Sequence, residues 1–121
     1  MNELIKQEKI ENLIYEIRGK QVMLDSDLAR LYECANGTKD INKAVKRNIN
    51  RFPDDFYFQL TDEEKNNLWF QIGTTKKKSR INPHVFTEEG VAMLSSVLRT
   101  DISTKMSVRI IRAFVYMRKY I

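Results

Sequence analysis

The chain has few of the residues that form disulfides, metal sites and linkers. Its 121 residues include one cysteine, Cys34, and one histidine, His84, which excludes an internal disulfide and leaves no set of ligands that resembles a structural zinc site. With four glycines and two prolines, it contains no long flexible linker. The longest apolar runs are too short to span a bilayer, and the charged N-terminus does not resemble a secretory signal peptide. We therefore expect a cytoplasmic protein without a metal, a cofactor or membrane contact.

The composition is typical of one soluble globular domain. Hydrophobic residues make up 42% and charged residues 31% of the chain, and its length suits a single core. The 21 lysines and arginines exceed the 16 aspartates and glutamates, which gives a formal net charge of +5. An excess of this size permits nucleic-acid binding but does not by itself predict it.

The first half of the chain predicts a hairpin followed by two helices. Apolar runs at 14–17 and 21–24 flank a glycine, which favours two paired strands. Asp25 is a candidate N-cap for a first helix, and Asn36-Gly37 marks a turn because both residues tolerate positive φ. We expect a second helix over 38–51, which ends where a proline follows.

The second half predicts further strands and helices, and with them an α+β fold. The aromatic run at 56–60 is typical of a strand, and Thr61 with Glu64 forms a capping box for the next helix. The other expected elements are an amphipathic helix over 2–13, a strand at 84–86, a helix from Thr87 and a last helix from Asp101 to Ile121. The predicted fold is a small single α+β domain over 1–121, with a helix-turn-helix-like unit, a small β-sheet with a hairpin and a C-terminal helical pair.

The second helix, over 38–51, has an apolar side and a basic side. Ile41, Val45 and Ile49 recur every four residues and are expected to face inward. Lysine and arginine neutralise phosphates and asparagine reads adenine, so the opposite side is suited to a major groove. The candidate DNA-binding residues of this helix are Lys39, Asn42, Lys43, Lys46, Arg47, Asn50 and Arg51. An ordinary solvated face is the alternative, and the turn at 33–37 is longer than in the simplest helix-turn-helix.

A second basic element lies in the polar segment 73–80, which we expect to be a loop. Its cations repel one another unless an anion is near, so such a loop is suited to a DNA backbone or a minor groove. The candidate DNA-binding residues here are Lys76, Lys77, Lys78 and Arg80. A solvated loop tip is the alternative.

The last helix is apolar around much of its circumference. One stripe consists of Met106, Ile110, Phe114, Met117 and Ile121, and a second adds Val108, Ile111 and Val115. Such a helix is either buried in the core or covered by a partner, and a homodimer through it is one alternative. It also carries basic residues that form either a third phosphate-facing strip or the rim of a dimer contact, namely Lys105, Arg109, Arg112, Arg118 and Lys119.

Three motifs, in the same order, resemble the ORF-six N-terminal domain family. They are Val22–Tyr32, Val45–Phe56 and Phe86–Leu98, which read VMLDSDLARLY, VKRNINRFPDDF and FTEEGVAMLSSVL. The family consists of DNA-binding domains of phages and prophages, related to the KilA-N and Bro-N domains. The resemblance covers about 14–117. It implies a phage or prophage regulator or antirepressor in which this domain precedes a second region of a longer protein.

The resemblance also bears on individual residues. It places Lys46, Arg47, Asn48 and Arg51 in the family's most distinctive motif. Two roles remain open for Asn48 and Arg51, which either contact DNA or bond the helix end to the chain that follows. Residues 34–37 form a small insertion relative to many members of the family.

An enzyme, a protein-interaction module and an RNA-binding domain are the other classes of function to compare with DNA binding. An enzyme is not expected, because Cys34 and His84 are far apart in sequence and no glycine-rich phosphate loop is present. Glu63-Glu64 and Glu88-Glu89 fall in first helical turns, where carboxylates favour the positive helix end. The main alternative is a protein-interaction module that binds another phage or host regulator through the last helix, and RNA binding is a further one. We predict a DNA-binding domain in phage-type transcription regulation, with double-stranded DNA as its partner.

Overall fold

The computed structural model describes residues 9–73 and 81–120. Within these ranges the chain forms five α-helices and a four-stranded antiparallel sheet, which confirms the predicted α+β class. None of these five helices combines the length and the apolar character that crossing a bilayer requires.

The predicted hairpin is present. Strand β1 (Ile14–Ile17) pairs antiparallel along its whole length with β2 (Lys20–Leu24). Arg18 and Gly19 form the two-residue turn between them, and both have a positive φ, 58° and 73°. A turn of this kind matches the twist of paired strands, which explains why a glycine stands there.

Two short strands complete the sheet, β3 (Tyr57–Gln59) and β4 (His84–Phe86). The order is β1-β2-β4-β3, so β4 lies between two strands that precede it in the chain. β4 has the predicted bounds, whereas β3 is shorter than the strand predicted over 56–60. The N–H of Phe56 donates to the carbonyl of Pro53 at 2.8 Å, so this residue belongs to a turn rather than to the ladder.

The helices begin close to where the sequence predicts. Their bounds are α1 (Asp25–Leu31), α2 (Thr38–Arg47), α3 (Asp62–Ile72), α4 (Glu88–Leu98) and α5 (Asp101–Tyr120). Short 3-10 turns, Ile10–Leu13 and Ile49–Arg51, precede β1 and follow α2. The amphipathic helix predicted over 2–13 lies mostly outside the described residues. Its described helical part is the 3-10 turn Ile10–Leu13.

The sheet separates two apolar clusters, because neighbouring residues of a strand point to opposite faces. Met23 and Phe86 lie on one face, in a cluster shared with α1, α2, α4 and α5. Val22 and Val85 lie on the other face, where they pack with Leu68 of α3. Four helices therefore share one core, and α3 has a separate one.

Helix α3 begins with the predicted capping box and is held by the hairpin turn. The Thr61 hydroxyl accepts from the Glu64 N–H at 3.1 Å, and the Glu64 carboxylate accepts from the Thr61 N–H at 2.8 Å. Arg18 donates to both carboxylate oxygens of Glu64, with Nε 2.7 Å from Oε2, and its guanidinium lies 4.2 Å from the centroid of the Phe58 ring. The hydrogen bond from Arg18 lowers the pKa of Glu64 to about 2.

The start of α4 is locked to the chain that follows α2. Thr87 caps α4, since its hydroxyl accepts from the Gly90 N–H at 3.3 Å and donates to the Asp55 carbonyl at 2.9 Å. The Thr87 N–H donates to the Phe56 carbonyl at 3.1 Å. A Cβ on Gly90 would overlap that carbonyl oxygen, so the close approach requires glycine. These contacts hold α4, which packs against both α2 and α5.

Candidate nucleic-acid interface

Helices α1 and α2 form the predicted helix-turn-helix-like unit, joined by residues 32–37. Gly37, with a φ of 62°, is the last residue of the turn. Asp40 of α2 accepts hydrogen bonds from the backbone N–H and the side-chain amide of Asn36, at 3.0 and 3.2 Å. These bonds hold the pKa of Asp40 below its ordinary value. The single acidic residue of α2 therefore braces the turn.

Helix α2 buries one side and exposes the other, as predicted. Ile41 and Val45 are buried in the core that the four helices share. Four cations are exposed on the opposite side, and we call them the α2 face: Lys39, Lys43, Lys46 and Arg47. Within residues 9–73 and 81–120, no salt bridge joins any of these cations to a carboxylate. The α2 face is therefore suited to an external anion.

The predicted helix over 38–51 is too long, because α2 ends at Arg47. Asn48 donates from its side-chain amide to the carbonyl four residues earlier, at 2.8 Å, and so satisfies a carbonyl at the helix end. In the 3-10 turn that follows, tighter winding breaks the period of α2 and leaves Ile49 55% exposed. The prediction that Ile49 faces the core is therefore wrong, and Phe52 is buried instead.

The remaining candidates near α2 differ in exposure. Asn50 and Arg51 are exposed in the 3-10 turn and extend the α2 face toward its C-terminal end. Asn48 has the structural role just described. Asn42 lies at the border of the buried side, and its Oδ1 is buried with no hydrogen-bond partner among the described residues. The exposed asparagine of this group is therefore Asn50.

The basic loop predicted over 73–80 lies almost entirely outside the described residues. This applies to Lys76, Lys77, Lys78 and Arg80, whose DNA-binding role stays a prediction. Gly73 ends α3 in the left-handed conformation, with a φ of 78°, and Ile81 is the next described residue.

A buried carboxylate anchors α1 to the sheet. Asp25 is not the N-cap predicted from the sequence, because Leu24 holds that position and Asp25 is the first residue of α1. Asp25 is 4% exposed, and its carboxylate accepts from the backbone N–H of His84 at 3.2 Å. Burial raises the pKa of Asp25 and lowers that of His84, whose ring stacks on Tyr57 with 4.8 Å between centroids. The sequence cannot reveal this anchor, because a buried aspartate and an N-cap look alike before the strand pairing is known.

Helix α5 carries the other basic surface of the described chain. Ile110 and Phe114 of its first predicted stripe are buried in the shared core. Of the second stripe, Ile111 is part-buried, whereas Val108 is 45% exposed. The core therefore covers one side of α5 and leaves part of its apolar surface in water.

Two contacts hold α5 in place. The hydroxyl groups of Tyr32, at the end of α1, and Ser107 lie 2.7 Å apart in a buried hydrogen bond. Burial raises the pKa of Tyr32 to about 12, so the phenol keeps its proton. At the other end of α5, Arg118 forms a salt bridge with Glu88 of α4. The first contact joins α5 directly to the helix-turn-helix-like unit.

These features define a small α+β domain that presents a basic helix from a helix-turn-helix-like unit. The model of the ORF6N domain family matches residues 12–97, and the chain belongs to this family. Membership indicates a phage-type regulatory domain. The match includes α1 and α2 and ends within α4, so α5 lies beyond it. Comparison with curated proteins found no match, and comparison with solved structures found none either.

Proposed function

We propose that this domain is the DNA-binding part of a phage-type transcriptional regulator or antirepressor, and that α2 enters the major groove. The observation that carries the proposal is the α2 face, a set of exposed cations opposite a fully buried apolar side. The core contacts of Ile41 and Val45, with the hydrogen bond between Asn36 and Asp40, hold α2 in place before any ligand binds. Binding to DNA therefore costs little conformational entropy. A preformed basic helix at the end of a helix-turn-helix-like unit is the usual arrangement for reading a groove.

The exposed groups at the C-terminal end of α2 supply different kinds of contact. Arg47 and Arg51 present planar guanidinium groups that bind a phosphate, or the edge of a guanine, through two hydrogen bonds. Asn50 presents an amide that pairs with adenine in the same way. Ile49 offers an apolar contact to the methyl group of thymine. Lys39, Lys43 and Lys46 are point charges that contact phosphates and fix the register of the helix without reading sequence.

The basic loop after α3 has an accessory role. The loop with Lys76, Lys77, Lys78 and Arg80 would contact the DNA backbone beside α2. No catalytic role is proposed. Cys34 is part-buried, and burial raises the pKa of its thiol, which disfavours a nucleophilic thiolate.

The test is fluorescence anisotropy of a labelled DNA duplex titrated with the whole chain at several salt concentrations. Five exposed cations lie on the α2 face and at Arg51, so these contacts alone should make the logarithm of the affinity fall against the logarithm of salt with a slope of roughly −4 to −5, and each loop cation that contacts a phosphate should steepen it by about 1. The double variant Lys43→Ala/Lys46→Ala should make this slope shallower by about 2 and leave the melting temperature nearly unchanged. An unlabelled RNA duplex, added as a competitor of the labelled DNA, tests the alternative that the domain binds RNA.

The matched control is Lys105→Ala/Arg112→Ala, which removes the same charge from exposed positions of α5. It should change the slope much less than the α2 variant does. No DNA binding at low salt, or equal losses for the two variants, would contradict the proposal. A large drop in melting temperature for the α2 variant would mean that Lys43 and Lys46 are not solvent-facing.

A further inference from the structure

The exposed side of α5 carries a continuous basic and aromatic strip. Successive residues lie three or four positions apart along the helix, except Lys119 and Tyr120, which are adjacent. We call them the α5 strip: Lys105, Arg109, Arg112, Tyr116, Lys119 and Tyr120. All six are exposed, and the only acidic residue of the helix, Asp101, is at its first position. With a rise of about 1.5 Å per residue, the strip is about 22 Å long.

The α5 strip contains large apolar surface as well as charge. The rings of Tyr116 and Tyr120 lie 5.0 Å apart and are 48% and 69% exposed. Ile102 and Val108 are exposed on either side of the strip. Aromatic residues and arginine together are characteristic of protein–protein contacts, where aromatic rings bury large areas at a low entropic cost.

This combination of charge and apolar surface favours one kind of binding partner for the α5 strip over the others. DNA phosphates would neutralise the cations, but they would leave Ile102, Val108 and the tyrosine rings without an apolar partner. A second copy of the chain would bring its own cations against Lys105 and Arg112, which like-charge repulsion disfavours. A helical segment with carboxylates beside apolar side chains complements both the charge and the apolar surface.

We propose that the α5 strip is a docking surface for an acidic amphipathic helix of another protein. The strip is preformed, because the Tyr32–Ser107 hydrogen bond and the Arg118–Glu88 salt bridge fix the opposite side of α5. Lys105, Arg112 and Lys119 form no salt bridge within the described ranges 9–73 and 81–120. The surface is separate from the α2 face, so this inference does not rest on DNA binding.

The test is selection from a displayed library of helical peptides with randomised exposed positions, using the whole chain as the target. Enriched peptides should carry Asp or Glu beside apolar residues at spacings of three and four. A labelled synthetic copy of an enriched peptide should bind the wild-type chain and lose about tenfold or more in affinity to Lys105→Glu/Arg112→Glu. Tyr116→Ala should also weaken peptide binding. This loss of affinity should persist at high salt, because the contact that the variant removes is apolar.

The matched control is Lys43→Glu/Lys46→Glu, which reverses the same charge on the α2 face and should bind the peptide as wild type does. Melting temperatures of all variants establish that they fold. The proposal is overturned if no acidic peptide is enriched or if the α2 control loses as much peptide affinity as the α5 variant. It is also overturned if the α5 reversal mainly abolishes DNA binding, or if it splits a dimer seen by sedimentation.

Discussion

The α2 face and the α5 strip are basic surfaces of two helices that pack on one core. The two surfaces differ in the side chains that surround their cations. In α2 the exposed large side chains are lysines and an arginine, and the apolar residues Ile41 and Val45 are buried. In α5 the cations alternate with Tyr116 and Tyr120, which are exposed. Net charge alone would assign both surfaces to nucleic acid. Their exposed apolar surface separates them. On and beside the α5 strip, Ile102, Val108, Tyr116 and Tyr120 expose apolar surface, whereas the α2 face has Ile49 at its edge, so a partner with apolar side chains of its own gains more from covering α5.

The two surfaces also differ in what holds them. The α2 face depends on a local brace, in which Asp40 accepts from Asn36 within the same turn. The α5 strip depends on long-range contacts, because Ser107 bonds to Tyr32, which is 75 residues earlier in the chain. Helix α4 packs between the two helices and is the scaffold they share. Substitutions in that scaffold should affect both surfaces, and exposed substitutions should affect one.

The largest effect is expected for Gly90→Ala, at the start of α4. The added Cβ would overlap the Phe56 carbonyl oxygen, so the helix must shift, at a cost of about 1–3 kcal/mol or more in the free energy of unfolding. Urea unfolding measures this loss. Glu89→Gln, at the exposed neighbouring position, is the control and should change the free energy by less than about 0.5 kcal/mol. An unchanged stability for Gly90→Ala would show that the close approach is absent.

The next effect concerns the buried hydrogen bond that joins α5 to the helix-turn-helix-like unit. Tyr32→Phe removes the hydroxyl that bonds to Ser107 and should destabilise the fold by about 1–2 kcal/mol, because it leaves a buried hydroxyl unsatisfied. Ser107→Ala should cost a similar amount. The double variant should cost less than the sum of the two, with a coupling free energy of about 0.5 kcal/mol or more. Strict additivity in denaturant unfolding would refute this direct link.

A smaller, pH-dependent effect is expected on the far side of the sheet. Glu64 has a folded pKa of about 2, below its ordinary value of 4.5, so the Arg18 pair stabilises the fold above about pH 4.5. This contribution is lost as the pH falls from 4.5 toward 2. Arg18 is 43% exposed and solvent screens the pair, so we expect about 1 kcal/mol or less. Glu64→Gln should lower stability at neutral pH and much less in acid, and it should leave both binding surfaces unchanged.

The smallest effect is expected for Ile49→Ala, at the edge of the α2 face. Ile49 is exposed, so the melting temperature should hardly change. If its side chain contacts a thymine methyl group, the variant should lose about fourfold in affinity for the selected duplex, the equivalent of about one buried methylene. Replacing thymine by uracil in that duplex should weaken the wild type equally and leave the variant unaffected. A variant that still discriminates thymine from uracil would exclude this contact.

Local chemistry made much of the fold predictable. The hairpin follows from Gly19 between two apolar runs, and the start of α3 follows from Thr61 with Glu64. Both features depend on a few neighbouring residues, so the rest of the chain is not needed to predict them. The position of β4 between β2 and β3 has no such signal, because it is set by pairing between distant segments.

The candidate site was predictable to the same extent and for the same reason. The period of Ile41 and Val45 places the cations of the α2 face correctly on the exposed side. That period fails at Ile49, because Asn48 ends the α-helix and a 3-10 turn follows. The buried role of Asp25 depends on its bond to His84, 59 residues away, and could not be inferred from its neighbours.

Backbone amide NMR of the whole chain, titrated with a short DNA duplex, would locate the surface that contacts DNA. We expect the shifted resonances to cluster in α2 and the 3-10 turn at Ile49–Arg51, with the α5 strip unperturbed. Shifts confined to α5, with α2 unchanged, would contradict the assignment of the two surfaces.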